Sequence, residues 1–226
     1  MNHSNAQSLS GSLKAATTDL HRLAERSPFM TALLRGDLTP PDYLDWFAAL
    51  LAIYETMERS LPRHASLAEL WRIVEGGLAR AEALRADVAA CSTAGPLDSH
   101  CLPAVAYAKH LEVLSEDAPI LLAAHVYVRY LGDLQGGRLM ALALKRSATL
   151  PSGAGAFSEY SRSLDMPRAN SDLKSALDAL GMDAQGKVQP HIISACAAEA
   201  ATAFGRHIDL FAALEDRRQT RKNSAR

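Results

Sequence analysis

Helix-start and helix-stop signals punctuate this chain from end to end, and no segment alternates apolar and polar residues as a half-buried strand does. Ser27-Pro28 places a capping hydroxyl ahead of a proline at the first helical position, where a missing N–H costs nothing. Thr39-Pro40-Pro41-Asp42 repeats the device, and behind it Tyr43, Trp46, Phe47, Leu50, Leu51, Tyr54 and Met57 recur at three and four, predicting a helix to about Leu61. Ser12 is expected to cap a first helix to about Arg26, and Gly36 to end a second. Ser66-Leu67-Ala68-Glu69 has the form of a capping box and predicts a helix to about Ala90. After a loop from Ser92 to Cys101, Pro103 and Pro119 open helices ending near Leu114 and Ser147. A flexible connection with one short turn is expected between Pro151 and Pro167. A short helix from Ser171 to Leu180 and a last one from Val188 to Glu215 close an all-α chain.

The composition agrees, since only 6% of residues are aromatic while 48% are hydrophobic, which suits helices packed through Leu and Ala. A single-domain helical bundle is expected over residues 11–215, preceded by a disordered N-terminus, 1–10, and followed by a polar basic tail, 216–226, that reads as a frayed end. With 24 Lys and Arg against 25 Asp and Glu, nothing in the overall charge favours nucleic acid. Cys91, Cys101 and Cys196 form no C-x-x-C pair, which argues against a disulfide scaffold or zinc site and for a reducing cytoplasm. The polar start lacks the apolar run of a secretory signal, and no apolar stretch approaches the roughly 20 residues of a membrane anchor. H-E-x-x-H, G-x-S-x-G and G-x-x-x-x-G-K are absent, so hydrolase and NTPase readings have no support.

Two segments break the helical rules. Gly132, Gly136 and Gly137 lie inside a long helix, where each costs roughly 1 kcal/mol relative to alanine. Gly136 and Gly137 follow Asp133 by three and four residues, so one face carries bare backbone with a carboxylate at its edge. A planar ligand, a kink or close helix packing would each account for it. On the first helix His21 and Glu25 stand four apart, the spacing at which a carboxylate orients an imidazole that ligates a metal, although a lone histidine on an amphipathic helix is more often a satisfied core or surface residue. The other histidines, His110, His125 and His207 among them, read as structural or solvent-facing.

Together the two motifs, Leu13-Lys14-x-Ala16-Thr17-x-x-x-His21-x-x-Ala24-Glu25 and His125-x-Tyr127-x-Arg129-Tyr130-Leu131-Gly132-Asp133-Leu134-x-Gly136-Gly137, resemble those of the biliverdin-forming haem oxygenase family, in its animal and bacterial branch. The resemblance implies haem b, both substrate and cofactor, sandwiched between the first helix and a kinked distal helix. It implies His21 as the iron ligand, Glu25 as the acid holding its ring, and Asp133 organising pocket water beside Gly132, Gly136 and Gly137. Lys14, Tyr127 and Lys174 fall at or near positions that meet the propionates, and Tyr54, Arg129 and Phe204 at positions of the distal network or pocket wall. Gln135 stands where the family usually has Ser, and Thr18 where some relatives carry another propionate-contacting Lys. The implied reaction yields biliverdin, carbon monoxide and ferrous iron from dioxygen and electrons, the latter from a ferredoxin, flavodoxin or NAD(P)H-dependent reductase. A basic face of Lys14, Arg22, Arg129, Arg138, Lys145 and Arg146 is the expected docking surface. A monomer or weak dimer is expected. A non-degrading haem carrier or sensor on the same fold is the alternative.

Overall fold

The structure, a computed structural model, describes residues 8–92 and 101–224, so most of the expected loop from Ser92 to Cys101 lies outside it. Ten α-helices run among the described residues: α1 (Leu9–Glu25), α2 (Pro28–Arg35), α3 (Pro40–Ser60), α4 (Ala68–Ile73), α5 (Ala81–Cys91), α6 (Leu102–Asp117), α7 (Leu122–Val126), α8 (Gly132–Arg146), α9 (Met166–Leu180) and α10 (Pro190–Ser224). No helix among them is long and apolar enough to cross a membrane.

The start signals act as expected at α2, where the Ser27 hydroxyl accepts from Met30 N and Gly36 closes the helix at φ 75°. At α3 the Asp42 carboxylate accepts from Thr39 N at 2.8 Å. The apolar stripe of α3 packs between α5 and α6, and Tyr43, Trp46, Phe47, Ile53 and Tyr54 are buried.

Elsewhere the boundaries move. Ser8, not Ser12, caps α1, accepting from Gly11 N at 3.2 Å, and Ser10 N donates to Asp178 on α9, so residues 8–10 already belong to the fold. The helix predicted from Ser66 to Ala90 is broken: a wide, π-type turn at Val74–Leu78 contains Gly77 at φ 140°, a conformation that excludes side chains. Glu58 of α3 then accepts from Arg80 N and Ala81 N, capping α5 from across the bundle. Asp165 caps α9, which begins at Met166 rather than at the expected Ser171.

The polar tail is the largest correction. Helix α10 continues to Ser224 because its basic residues find buried acids: Arg221 donates to Asp42 at 2.6 Å and Asp45 at 2.8 Å, both on α3, and Arg217 approaches Asp45 at 3.4 Å. Arg218 is itself 6% exposed.

The segment that sets up the site lies between Pro119 and Arg146. The single helix predicted there is a 3₁₀ turn, α7, a second π-type turn at Tyr127–Leu131, and α8. The extra residue in that turn shifts the phase of the helix where the glycines begin.

Candidate functional site

A cleft opens between α1, α8 and α10, backed by α2 and α3. One lobe, about 210 Å³, is lined chiefly by apolar side chains, Met30, Leu34, Leu50, Leu139, Met140 and Phe204 among them. The other, about 320 Å³, is more polar and includes Lys14, Thr17, Thr18, Arg22, Tyr127 and Gln135. His21, Glu25, Val128, Gly132 and Phe204 border both lobes.

His21 is half exposed into this space, its Nδ1 3.6 Å from Glu25 Oε2, so the spacing read from sequence does bring the pair together. Its ring meets Phe204 of α10 edge to face, with centroids 5.7 Å apart. Across the cleft, a Cβ built on Gly132 or Gly136 would meet no atom within 4 Å, and one on Gly137 only Tyr160 at 3.9 Å. Close helix packing would have left neighbours at those positions. The glycines instead leave main chain facing open space, which fits a flat ligand and removes the packing alternative.

Behind the glycines, the buried Tyr54 hydroxyl donates to Asp133 and accepts from Arg129 Nε at 3.1 Å and Nη2 at 3.0 Å. Burial pushes the Asp133 carboxyl above its ordinary range, and the Arg129 guanidinium partly offsets this. Burial also holds the Tyr54 phenol well above its usual value, so it remains a donor. Arg129 points its third nitrogen at His207, 3.0 Å from Nδ1. The expected place of Arg129 on a basic surface is therefore wrong, because it is buried in this network.

Sequence reasoning missed three residues here. His207, read as structural or solvent-facing, lines the cleft and packs on Phe211 with centroids 4.2 Å apart. Burial first, then Arg129 and His21, hold its pKa well below the ordinary value, so the ring is neutral. Its position three residues after Phe204 put both on one face of a helix, a signal that was available. Phe157 and Tyr160 come from the loop between α8 and α9, where no periodicity marks them. They help enclose a chamber of about 50 Å³ with Asp133, Gly136 and Met140. The Tyr160 hydroxyl is buried with no hydrogen-bond partner, and the chamber has room for water to satisfy it. Lys174, by contrast, stands exposed on α9 and is not among the residues lining either lobe.

This arrangement defines a class: helical proteins that take a flat ligand between an imidazole on one helix and uncovered main chain on another. The family model described as Heme oxygenase matches residues 7–213, and the chain belongs to that family. It is 31% identical to Heme oxygenase 1 of Rattus norvegicus over 219 residues, covering 93% of this chain and 72% of the relative. Among solved structures it is similar to heme oxygenase from Leptospira interrogans, with 29% identity and a TM-score of 0.77 over 90% of this chain and 98% of that one. It is also similar to heme oxygenase-2 from Synechocystis sp. PCC 6803, solved in complex with heme and NO, with 27% identity and a TM-score of 0.80 over 92% and 86% of the two chains.

Proposed function

We propose that the protein is a haem oxygenase, opening haem b to biliverdin, carbon monoxide and ferrous iron with dioxygen and externally supplied electrons. One observation carries the reading: the open, neighbourless positions at Gly132 and Gly136 border the same cleft as His21. When bound, haem supplies the iron that takes dioxygen and the ring carbon at which oxygen is inserted.

The chain's own residues would do the rest. His21 would offer Nε2 to the iron, and the Glu25 carboxylate, 3.6 Å from Nδ1, stands on the side from which it would orient the ring. The glycines let the ring approach the backbone closely, and the apolar lobe keeps water from its faces. Asp133, held through Tyr54 by the Arg129 charge, anchors water in the small chamber, and Tyr160 gives that water a second partner. Hydrogen-bonding groups held at such fixed positions facing the cleft would need no reorganisation during reaction. Lys14 and Tyr127 border the polar lobe, where propionates would face solvent. The electron donor is an acidic ferredoxin, flavodoxin or reductase docking on Lys14, Arg22, Arg138, Lys145 and Arg146. The free thiols of Cys91, Cys101 and Cys196 support a cytoplasmic setting, and a monomer or weak dimer completes the reading.

The test is aerobic turnover of haem-loaded protein with a reductant, followed by chromatography of the product. Biliverdin with loss of the Soret band is expected, and intact haem cycling through an oxygenated form would identify a carrier instead.

A further inference from the structure

Away from the cleft, three ligating side chains converge where α6, α7 and α10 meet. His110, His125 and Glu199 place two ring nitrogens and a carboxylate oxygen within 4.8 Å of one another. His110 Nε2 lies 2.7 Å and His125 Nε2 3.0 Å from the same oxygen, Glu199 Oε1. The His125 side chain is fully buried, that of Glu199 is 11% exposed and that of His110 is 20% exposed, so an ion would enter along the His110 edge. We propose that His110, His125 and Glu199 form a binding site for a divalent first-row transition cation of the zinc, cobalt and ferrous class.

The donor set argues for that class. Two imidazoles and one carboxylate suit borderline divalent ions, whereas magnesium and calcium prefer cages made wholly of oxygen. Donors in neighbouring positions around an ion with bonds of about 2.1 Å lie roughly 3 Å apart, close to the separations from Glu199 Oε1 found here. Three protein ligands leave further positions for water.

The surroundings serve both loaded and unloaded forms. Tyr107 Oη, also buried, sits 2.9 Å from His125 Nδ1. Without an ion, His125 donates from Nε2 to Glu199 and accepts at Nδ1 from Tyr107. With an ion on Nε2, the ring proton moves to Nδ1 and is donated to the Tyr107 oxygen, the outer partner that fixes a ligating imidazole. No net proton leaves that ring.

The site stands independently of how the cleft is read. If the cleft does open haem, ferrous iron is released close by, since His125 lies one helical turn before Arg129 and Glu199 five residues before Phe204.

Titrating haem-free protein with Co²⁺ alone and reading its visible ligand-field bands tests the site. His110→Gln keeps an N–H donor toward Glu199 but lacks the imidazole. It should lower Co²⁺ affinity at least about tenfold, while its Soret titration with haem matches the parent protein. Because His21 can also take Co²⁺, the quantity read is the difference between parent and variant. Co²⁺ bands that are unchanged from the parent in both His110→Gln and Glu199→Gln would overturn the proposal, as would no bands at one equivalent in the parent. A measurement that needs no variant is proton NMR of the Co²⁺ form: two strongly shifted, solvent-exchangeable imidazole N–H resonances beyond any from His21 are expected, and their absence would also overturn it.

Discussion

Asp133 shows how much of a functional residue's chemistry is settled by what stands behind it. Its spacing from Gly136 and Gly137 was legible in the sequence, but its partner Tyr54 lies 79 residues away and only folding reveals the pair. Asp133→Ala should still take up haem, since the side chain is not the iron's ligand. It should lower biliverdin formation by about 10²–10³-fold, the scale of losing one fixed hydrogen-bonding group, as chromatography after single turnover would show. His207 and His125 carry a second prediction at this scale. His125 is held below its ordinary pKa by burial, which outweighs the opposing hydrogen bond to Glu199, with His110 and Arg206 adding to the depression. His207 is held down by burial, Arg129 and His21. Unfolding returns both rings to a pKa near 6.5, so below that pH the unfolded chain binds protons the folded one refuses. Stability should thus be fully present above about pH 6.5 and fall as pH drops toward the depressed values, by up to about 1.4 kcal/mol per pH unit for each ring. Denaturant titrations at about pH 7.5 and about pH 5.5 measure this, and His207→Asn should remove one ring's share of the slope.

At the scale of elements, the sequence announced helices through their caps more reliably than it announced their interruptions. Ser27, Pro28, Thr39 and Asp42 act locally, so a reader of the chain sees what the backbone sees. The break at Gly76 and Gly77 is different, because local contacts of Arg80 with Gly77 O and Leu78 O are joined by contacts from elsewhere: Arg80 also donates to Glu159 O, and Glu58 caps the next helix. Two glycines gave the hint, but nothing nearby said that a helix would stop rather than bend. For α8 the predicted anomaly and its structural meaning coincide. Adding a side chain at Gly136 meets no protein atom at its first carbon, so Gly136→Leu should keep or raise the melting temperature, helix propensity contributing up to about 1 kcal/mol. Haem affinity should fall at least about tenfold, because the new side chain occupies the cleft. Circular dichroism melting and a Soret titration read the two effects separately, and unchanged haem affinity would remove the glycines from the site.

For the whole molecule, all-α architecture and a cleft involving the first helix were both legible, whereas the reach of the last helix was not. Arg217 and Arg221 look like a solvated end because their acids, Asp42 and Asp45, lie far back along the chain on α3. Both acids sit in the first turns of α3, where a carboxylate is favoured by the helix terminus, and only the tertiary fold adds the guanidinium. Arg221→Ala should cost about 2 kcal/mol in unfolding free energy, between a surface pair and a fully buried one, since Arg221 is partly exposed while Asp42 and Asp45 are not. A denaturation midpoint measures this, and a change within error would return the tail to the role of a loose end. Helix α10 spans 35 residues, about 50 Å. Glu199, then Phe204 and His207, then Arg221 are strung along that one rod. A rod passes on displacement with little loss, so anything that tugs the turn carrying Arg221 also nudges the wall against which His21 rests, and that turn becomes a remote handle on the cleft.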